Sequence, residues 1–356
     1  MRIAHLFPDN TTFPANFMYG LRYFGFKKSN TIFVYFNTIP KELQSYTDFD
    51  VRPITSLKKL RNELEEFDHI VFHSLYPHYL SLIPRLSGKQ LSWVFWGYEY
   101  YNYFETNHFE RETKKILPRR AFVKYLTRWV RKQQLKKAMK KIDFFLFWDR
   151  LFYINLKQKF NLNAQFHEFL YCRAFFEKIE IPREKEFKPD KFICYVGNSG
   201  YLSGNQPDVY KKISSIKNIK TVYSLLAYGN GTEIKRIEQS AKKYLNNHIP
   251  IKEFLPFDTY IQMMNDIDIV ICYHNRMQAL GLIFNAILLK KRLVLNEKNN
   301  FKRILKSIGI QTFNLEDIEW FDREKENTLL EQNRKLLLQY FNHDRLSNYY
   351  SVFSEN

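Results

Sequence analysis

Short apolar runs alternate with helical stretches along the first half of the chain, and this alternation limits the possible folds more than any other feature of the sequence. The runs are rich in β-branched and aromatic residues, which is typical of strands covered on both faces. Amphipathic stretches such as 57–66 and 79–86 separate them. The alternation predicts parallel strand–helix–strand units. The predicted strands of this half are 3–7, 31–35, 70–72, 91–95 and 144–147.

The same alternation resumes after a charged stretch that contains Pro182 and Pro189 and shows no hydrophobic periodicity. We interpret this stretch as a linker between domains. A single hydrophobic core stops growing at about 250–300 residues, so a chain of 356 residues is expected to form two domains. The predicted first domain, linker, second domain and helical tail are residues 1–176, 177–191, 192–323 and 324–356.

The second domain is predicted to begin with a strand and to continue in the same pattern. Its expected strands are 192–196, 219–226, 267–272 and 292–295. The fold class that we expect is therefore α/β, with two Rossmann-like, doubly wound domains facing a cleft. In such sheets, ligands bind beyond the carboxyl ends of the strands.

Cysteine usage and hydropathy exclude several classes of protein. Cys172, Cys194 and Cys272 lie far apart, without a CxxC pair or a histidine at metal-ligand spacing. This excludes a disulfide framework and a structural zinc site built from these residues. No apolar run approaches the ~20 residues of a membrane-spanning helix, and the N-terminal apolar run is too short for a signal peptide. We therefore expect a protein of the reducing cytoplasm.

The positive charge of the chain is concentrated in one segment. The chain has 55 Lys and Arg residues against 37 Asp and Glu, a formal net charge of +18. Residues 114–141 include twelve basic residues and no acidic one, so this segment alone supplies two thirds of the excess. Phe122, Leu126, Trp129 and Val130 recur within it at helical spacing. The spacing predicts an amphipathic helix with cations around one apolar face.

Three interpretations fit this basic segment. On an anionic membrane surface, each basic residue contributes about 1 kcal/mol to binding. The same cations could bind nucleic-acid phosphates. A solvated helix whose apolar face packs on its own domain is the third interpretation. We favour the membrane surface and rank nucleic acid last. The expected contact residues are Trp129, Lys132, Lys136 and Lys137.

Two glycine-containing turns follow strands of the predicted second domain. Gly197 to Gly200 reads GNSG after the first strand, with Asn198 and Ser199 inside the turn, and Tyr228 with Gly229 follows the next strand. Glycines allow backbone N–H groups to approach a phosphate, and a following helix adds its positive N-terminus. Either turn alone is a weak indication of an anion site.

The segment 267–301 is the most informative part of the sequence. A predicted buried strand ends before a polar turn that leads into an apolar helix, and a second strand ends at Asn296. This order directs the turn and the first amides of the helix toward a bound diphosphate. An ordinary strand–helix–strand unit whose polar residues only cap the helix is the alternative. The candidate donor-binding residues of this segment are Asn275, Arg276, Gln278, Gly281, Asn296 and Asn299.

At this point the sequence resembles glycosyltransferase family 56. The matching motifs are GNSG at 197–200, Asn-Arg-x-Gln-x-x-Gly at 275–281 and Val-Leu-Asn-x-x-Asn-x-Phe at 294–301. Weaker matches in the first half are His5 with Asp9, Phe72 with His73, and Trp96-Gly97 before an acidic residue. The resemblance touches most of the chain but is dense only over 192–301. The known members of the family are the acetamidofucosyl (Fuc4NAc) transferases of enterobacterial common antigen synthesis.

The resemblance implies a GT-B fold and a reaction. The second domain would bind the nucleotide sugar, and an acetamido-dideoxy sugar would pass from a dTDP donor to a polyprenyl-diphosphate-linked glycan, with inversion. It implies no metal and no cofactor, a role in surface polysaccharide synthesis, and a peripheral position on the cytoplasmic face of the inner membrane. Two alternatives stay open: a transferase with a UDP or GDP donor and another glycan or protein acceptor, and a non-catalytic nucleic-acid-binding protein.

Inverting transfer needs a base for the acceptor hydroxyl and positive charge for the leaving diphosphate. Asp9 and Glu99 follow strands of the first domain and are equal candidates for the base, with His73 third. The ordinary alternatives are that Asp9 caps a turn, that Glu99 lies on the surface and that His73 is a hydrogen-bonded core histidine. Arg276 is the candidate that stabilises the leaving group, and a simple salt bridge is its alternative.

Two Asp-x-Asp patterns, 48–50 and 266–268, resemble the metal-binding motif of other transferases. The first pattern lies in a polar loop without a nucleotide-binding context. The second opens a predicted buried strand, where a carboxylate usually caps or solvates the chain end. We therefore predict no metal site.

Overall fold

The structure is a computed structural model of the 356-residue chain. It describes residues 1–8, 12–26, 30–36, 38–105, 108–117, 122–171, 173–176, 191–320 and 322–354. The strands of these ranges are β1 (Ile3–Phe7), β2 (Asn30–Val34), β3 (Asp50–Pro53), β4 (His69–His73), β5 (Gln90–Val94), β6 (Phe144–Leu146), β7 (Gln165–His167), β8 (Phe192–Val196), β9 (Ile219–Leu225), β10 (His248–Ile251), β11 (Ile269–Cys272) and β12 (Arg292–Leu295).

Helices connect the strands in both halves of the chain. They are α1 (Thr12–Phe24), α2 (Lys41–Gln44), α3 (Leu57–Glu63), α4 (Tyr98–Tyr101), α5 (Arg111–Lys115), α6 (Phe122–Met139), α7 (Arg150–Phe160), α8 (Arg173–Phe176), α9 (Gln206–Ile213), α10 (Gly231–Tyr244), α11 (Phe257–Asp266), α12 (Leu280–Leu288), α13 (Asn300–Ser307), α14 (Arg323–Tyr340) and α15 (His343–Ser351). The predicted helix 79–86 is instead two 3₁₀ turns, Tyr79–Ser81 and Ile83–Arg85. Pro84 lacks the N–H that an α-helix would need there.

The first seven strands form one parallel sheet in the order β3-β2-β1-β4-β5-β6-β7. The chain starts at the centre, moves to one edge and then builds the other, which is the doubly wound arrangement. Strands β1, β2 and β4 are buried along their whole length, as expected for strands covered on both faces. Because all the strands are parallel, their carboxyl ends share one edge of the sheet.

The second half forms a five-stranded parallel sheet in the order β10-β9-β8-β11-β12. Strands β11 and β12 are fully buried, and β8 is buried at four of its five positions. The carboxyl ends of β8 and β11 lie side by side, because Val196 pairs with Ile271. The prediction of an α/β protein with two doubly wound, parallel-sheet domains is confirmed.

The chain divides into two compact units, and each contains one sheet. The first unit is Met1–Thr106, Arg120–Phe176 and Phe341–Asn356, and the second unit is Asn107–Arg119 and Glu177–Tyr340. The units differ from the predicted domains in two places, since residues 107–119 join the second unit and residues 341–356 join the first. Nearly all of the predicted linker, residues 177–190, lies outside the described ranges.

Specific contacts explain the two exchanged segments. In the second unit, Asp208 accepts hydrogen bonds from the backbone N–H groups of Glu112 and Thr113, at 2.7 and 2.9 Å, and so caps the N-terminus of α5. In the first unit, the buried Asn30 side chain donates to the carbonyl of Phe353 at 3.1 Å. These are polar contacts between residues far apart in sequence, and hydrophobic periodicity does not reveal such pairs.

The basic segment is not one helix, because α5 ends at Lys115 and α6 covers 122–139. Trp129 and Val130 are exposed, with 56% and 47% of their surface accessible. The helix packs on the first unit through a different set of residues, Leu135, Ala138 and Met139. The structure does not describe the side chains of Phe122 and Leu126. For Trp129 and Val130, the interpretation that the apolar face packs on its own domain is wrong.

Two further expectations concern cysteines and membrane spans. Cys194 and Cys272 are buried, and burial raises the pKa of both thiols, which fits inert core cysteines. Cys172 lies outside the described residues. Within those residues, no helix combines the length and the hydrophobicity needed to cross a bilayer.

Candidate functional site

The loops after β8 and β11 are joined by one asparagine side chain. Oδ1 of Asn198 accepts hydrogen bonds from Nε2 of His274 at 2.9 Å and from Nε2 of Gln278 at 3.1 Å. His274 is fully buried, and burial together with the nearby Arg276 lowers its pKa to about 3. The imidazole is therefore neutral at pH 7, with its proton on Nε2. Three residues that follow two neighbouring strands thus form one polar cluster at the carboxyl edge of the second sheet.

Arg276 is held in a defined orientation within this cluster. Its Nε donates to Oε1 of Gln278 at 2.8 Å, and a terminal nitrogen donates to the Ser203 hydroxyl at 3.1 Å. Ser203 also donates to Oε1 of Gln278 at 3.1 Å. Gln278 and Ser203 are neutral groups, and their hydrogen bonds fix the orientation of the guanidinium. Arg276 and Gln278 were predicted from the sequence, whereas Ser203, which precedes α9, was not, because no motif surrounds it.

Helix α12 begins beside this cluster with its first amides available. Its N-cap residue, Ala279, has φ of +69°, and within the described chain no side chain caps the helix. An alanine in the left-handed region is strained, and such strain is frequent at ligand sites. Gly281 in the first turn has open space where a Cβ would lie. The uncapped N-terminus of this nine-residue helix is a favourable place for a phosphate group.

The two predicted glycine turns pack against each other. The N–H of Gly200 donates to the carbonyl of Tyr228, and a Cβ on Gly229 would lie within 3 Å of the Gly200 backbone. Gly197 has φ of +76° at the end of β8, where a side chain would be strained. Ser199 is buried, and its carbonyl accepts from Gln206 at 2.6 Å. Close backbone approach therefore explains at least Gly200 and Gly229 without a ligand.

The asparagines after β12 have structural roles of their own. Oδ1 of Asn296 accepts from the N–H of Lys298 at 2.9 Å, and Oδ1 of Asn299 accepts from the N–H of Phe301 at 3.0 Å. Asn299 is thus the N-cap of α13. Its Nδ2 is buried without a hydrogen-bond partner among the described residues. These contacts match the alternative in which polar turn residues cap helices.

Glu110 lies at the same edge and was not predicted from the sequence. Its Oε1 accepts from Nδ2 of Asn275 and from Nζ of Lys298, both at 2.6 Å. Burial alone would raise the pKa of Glu110, but the hydrogen bonds from these two residues lower it. The carboxylate is therefore ionised at neutral pH. Glu110 and Asn275 are 165 positions apart, and no local motif signals their contact.

In the first unit, Glu99 is fully buried in the first turn of α4. Its Oε1 accepts from the indole N–H of Trp93 at 2.8 Å and from the backbone N–H of Trp96 at 3.3 Å. Burial raises the pKa of this carboxyl group, against the opposing effect of these hydrogen bonds. Oε2 has no well-aligned hydrogen-bond partner among the described groups. Glu99 is thus a buried carboxyl of raised basicity, not the surface residue of the alternative.

His73 is also buried, at the end of β4. Its Nε2 lies 3.1 Å from Nδ1 of His5, and its Nδ1 lies 2.6 Å from the Tyr171 hydroxyl. The ring stacks on Phe7 with centroids 3.7 Å apart. Burial lowers its pKa well below 6.5. This is the environment of a hydrogen-bonded core histidine, the alternative expected from the sequence.

Asp9, the remaining candidate base, lies outside the described residues. Three of the four Asp-x-Asp carboxylates are engaged elsewhere: Asp48 pairs with Arg22, Asp50 with Arg52, and Asp268 accepts from the N–H of Ile193 at 2.8 Å. Over the described ranges, no three His, Cys, Asp or Glu residues form a group that could hold a metal ion.

Comparison with known proteins supports the fold. No protein-family model matches the sequence, and no curated protein matches it significantly. Solved structures are similar over nearly the whole chain. A glycosyltransferase from Rickettsia africae is 12% identical, with a TM-score of 0.63 over 100% of this chain and 99% of that one. Anabaena HepE in complex with UDP and glucose is 10% identical, with a TM-score of 0.69 over 99% and 98% of the two chains.

WaaG, a glycosyltransferase involved in lipopolysaccharide biosynthesis, is 12% identical, with a TM-score of 0.56 over 99% of this chain and 96% of that one. At these identities the similarity establishes the fold. The GT-B fold expected from the sequence is confirmed, because these neighbours are GT-B glycosyltransferases.

Proposed function

We propose that this protein is a glycosyltransferase that takes a sugar from a nucleoside-diphosphate donor bound by the second unit. The observation that carries the proposal is the orientation of Arg276 by Gln278 and Ser203 beside the uncapped N-terminus of α12. A guanidinium and a helix N-terminus at the carboxyl edge of a parallel sheet suit a diphosphate. The GT-B neighbours bound to UDP and UDP-glucose support the same assignment.

The proposed reaction inverts the configuration of the transferred sugar. A carboxylate of the first unit removes the proton from an acceptor hydroxyl, and that oxygen bonds to the anomeric carbon. The bond from this carbon to the diphosphate breaks, and the electron pair leaves on the diphosphate oxygen. Arg276 and the first amides of α12 stabilise that negative charge, so the proposal requires no metal. Glu99 is the base that we favour, because its raised pKa makes it a stronger base than an ordinary glutamate.

The donor nucleotide is the less determined part of the proposal. The resemblance to the acetamidofucosyl transferases favours a dTDP-linked acetamido-dideoxy sugar. The complex of Anabaena HepE with UDP-glucose favours a UDP donor. The ionised carboxylate of Glu110 lies beside Asn275 at the same edge and would accept hydrogen bonds from the hydroxyls of either donor. We place dTDP first and UDP second, and the experiment below separates them.

We further propose that the acceptor is a glycan on a lipid diphosphate and that α6 binds the anionic membrane that contains it. Exposed Trp129 provides the apolar contact, and Lys132, Lys136 and Lys137 follow it on a helix without acidic residues. The involvement of WaaG in lipopolysaccharide biosynthesis supports an acceptor of this kind. The protein would then act at the cytoplasmic face of the inner membrane, as a peripheral protein in surface polysaccharide synthesis.

The test of the donor site is thermal unfolding with dTDP, UDP or GDP at moderate salt. A nucleotide at about 100 times its dissociation constant adds about 2.7 kcal/mol of stability, and each kcal/mol raises the unfolding temperature by about 2–4 °C. We expect a rise of several degrees with dTDP or UDP, and Arg276→Ala should abolish it. Lys242→Ala is the matched control, because Lys242 is an exposed cation in the last turn of α10.

The outcomes discriminate between the alternatives. A shift with dTDP alone supports the deoxysugar donor, and a shift with UDP or GDP keeps the transferase and removes that donor. An equal nucleotide shift in the Arg276→Ala variant would remove Arg276 from the site. No shift with any nucleotide, together with salt-dependent binding of RNA or DNA that survives Arg276→Ala, would favour the nucleic-acid-binding protein.

A further inference from the structure

Helix α7 of the first unit carries two aliphatic side chains on the side that faces away from the core. Its buried residues are Phe152, Tyr153 and Leu156. Leu151 and Ile154 are 45% and 40% exposed. At about 3.6 residues per turn, these two side chains lie near the middle of the outward side of the helix. A surface helix normally has polar residues there, so this pair is out of place in a helix that only contacts water.

Cations flank this aliphatic pair on both sides of α7. Arg150 and Lys157 lie on one side of the pair and Lys159 on the other, and all three residues are exposed. Lys159 also lies 3.6 Å from Glu105, which follows α4. The helix itself contains no acidic residue. An apolar stripe between cations is the pattern of a helix that lies in the surface of an anionic bilayer.

Helix α6 lies on the same face of the sheet as α7. α6 connects β5 to β6, and α7 connects β6 to β7. Both connections join parallel neighbours in the same direction, so right-handed crossovers place the two helices on one face. The ring centroid of Phe104 lies 5.4 Å from Nζ of Lys132 in α6 and 4.6 Å from that of Phe160 in α7. Exposed Trp129 and Val130 of α6 therefore share one side of the first unit with the aliphatic pair.

The charge of the two helices indicates what covers this side. There are six Lys and Arg residues in α6 and three in α7, and neither helix has an Asp or Glu. A second copy of the chain would bring these like charges together at an isologous contact. A nucleic acid would pair with the cations but would leave the aliphatic pair of α7 without a role. An anionic bilayer uses both, because its headgroups attract the cations and its acyl region takes up aliphatic side chains.

We propose that α6 and α7 together form a docking surface for an anionic lipid bilayer, into which Leu151 and Ile154 insert beside Trp129 and Val130. The inference deepens the proposed membrane binding by α6 and rests on it. Both helices run along the sheet, so a bilayer against them faces the sheet and not its carboxyl edge. The edge near Glu99 therefore stays clear of the bilayer.

The test is sedimentation of the full-length protein with vesicles of phosphatidylglycerol and phosphatidylcholine. The double variant Leu151→Ser/Ile154→Ser should bind about 10-fold more weakly than the parent, because two aliphatic side chains no longer enter the acyl region. The matched control is Leu338→Ser/Ile249→Ser, a pair of the second unit with 38% and 40% exposure, and it should bind like the parent. Thermal unfolding of each variant, with and without dTDP or UDP, checks the fold and the donor site.

A second measurement detects insertion directly. Leu151→Trp should add tryptophan emission that lipids with brominated acyl chains quench, because the new indole enters the acyl region. Leu338→Trp should add emission that these lipids leave unchanged. Binding of a single-stranded oligonucleotide and self-association are measured for the same set of variants, because a nucleic acid and a second copy are the competing occupants.

Weaker vesicle binding by the Leu151→Ser/Ile154→Ser protein alone, with quenching at position 151 alone, supports the surface. Equal loss by both double variants, no loss by either, or a loss only of oligonucleotide binding or self-association overturns it. If the two double variants bind like the parent while the change of Lys132, Lys136 and Lys137 to Glu abolishes binding, α6 binds the membrane without α7. A parent that binds no vesicles overturns this inference and the membrane part of the proposed function, whereas a nucleotide-induced rise in its unfolding temperature would still support the donor site.

Discussion

Nδ1 of His73 lies 2.6 Å from the hydroxyl of Tyr171 in the first unit. It ends a buried chain of polar groups whose protons are fixed from Asn30. Oδ1 of Asn30 can only accept, so Nε2 of His5 donates to it at 2.7 Å and Nδ1 of His5 is left as an acceptor. His73 donates to that nitrogen from Nε2, and its own Nδ1 accepts from Tyr171, whose oxygen also accepts from the indole of Trp96. Both histidines are neutral, and neither has a lone pair left for a further proton.

The neutral histidines predict an acid-sensitive first unit. Burial lowers the pKa of His5 to about 3 and that of His73 well below 6.5. Below pH 6.5 the unfolded chain binds protons that the folded unit does not, so stability falls as the pH falls from 6.5 toward about 3. From pH 6.5 to 5, His5 should remove about 2 kcal/mol from the free energy of unfolding, and His73 should lower it further. Chemical unfolding at both pH values measures this loss.

The variant His5→Gln should lower stability at pH 7 and flatten its pH dependence. His343→Gln is the control, because the side chain of His343 is 62% exposed. If the His5→Gln protein retains the full pH dependence of the parent, the buried network is not its source.

The second prediction concerns Glu99→Gln. The amide has the shape of the carboxyl group, so the fold and the nucleotide-induced rise in unfolding temperature should be preserved. Transfer should fall by about 10²–10⁴, the usual contribution of a general base. In the parent protein, the rate should fall as the pH drops through the raised pKa of Glu99, above the range of an ordinary glutamate. Initial rates of nucleotide release measure both effects.

The control for this variant is Glu105→Gln, since Glu105 follows α4 and its side chain is 51% exposed. Glu105→Gln should transfer at the rate of the parent. Unimpaired transfer by Glu99→Gln would leave Asp9 as the remaining carboxylate candidate for the base.

The third prediction concerns the membrane. Changing Lys132, Lys136 and Lys137 to Glu should reduce binding to vesicles of anionic lipid, because three attractive charges of about 1 kcal/mol each become repulsive. Vesicle sedimentation measures the bound fraction. The charge-matched control changes Lys58, Lys59 and Arg61 of α3 to Glu, which are exposed in the same unit. If both triple variants lose binding equally, net charge and not α6 attracts the membrane.

The fourth prediction concerns Asp208, which caps α5. Asp208→Asn should cost about 1–3 kcal/mol of the free energy of unfolding of the second unit, because the amide loses charge and one acceptor oxygen that the N–H groups of Glu112 and Thr113 use. Urea unfolding followed by protease susceptibility near Arg111 would detect the loss. Glu316→Gln, with a side chain 65% exposed in the same unit, should change little.

Sequence patterns predicted the central strands and missed three strands at the edges. β3, β7 and β10 are edge strands of their sheets. None of their residues is fully buried, so they lack the apolar run that a strand covered on both faces requires. β12 is also an edge strand, but its four residues are buried, and it was predicted. Burial, rather than strand pairing itself, leaves the recognisable pattern in a sequence.

In the candidate site, too, local patterns could be recognised in the sequence and long-range contacts could not. Arg276 and Gln278 were found because they lie in a polar turn between a buried strand and an apolar helix. Ser203 and Glu110 were missed because they reach the same edge from residues 73 and 165 positions away from their partners. Asn296 and Asn299 were predicted as ligand contacts, and their observed hydrogen bonds are those of a turn and a helix cap. A side chain that serves the local backbone and one that serves a ligand look alike in sequence.

The exchange of segments between the two units has a consequence for how the chain is made. During synthesis, residues 107–119 emerge well before Asp208, so α5 has no partner while the first sheet is forming. The first unit in turn lacks residues 341–356, and with them the contact between Asn30 and the carbonyl of Phe353, until the second half has been translated. The first unit therefore completes its folding after most of the second unit has been made, and a ribosome that stops between the two halves releases a first unit without this segment.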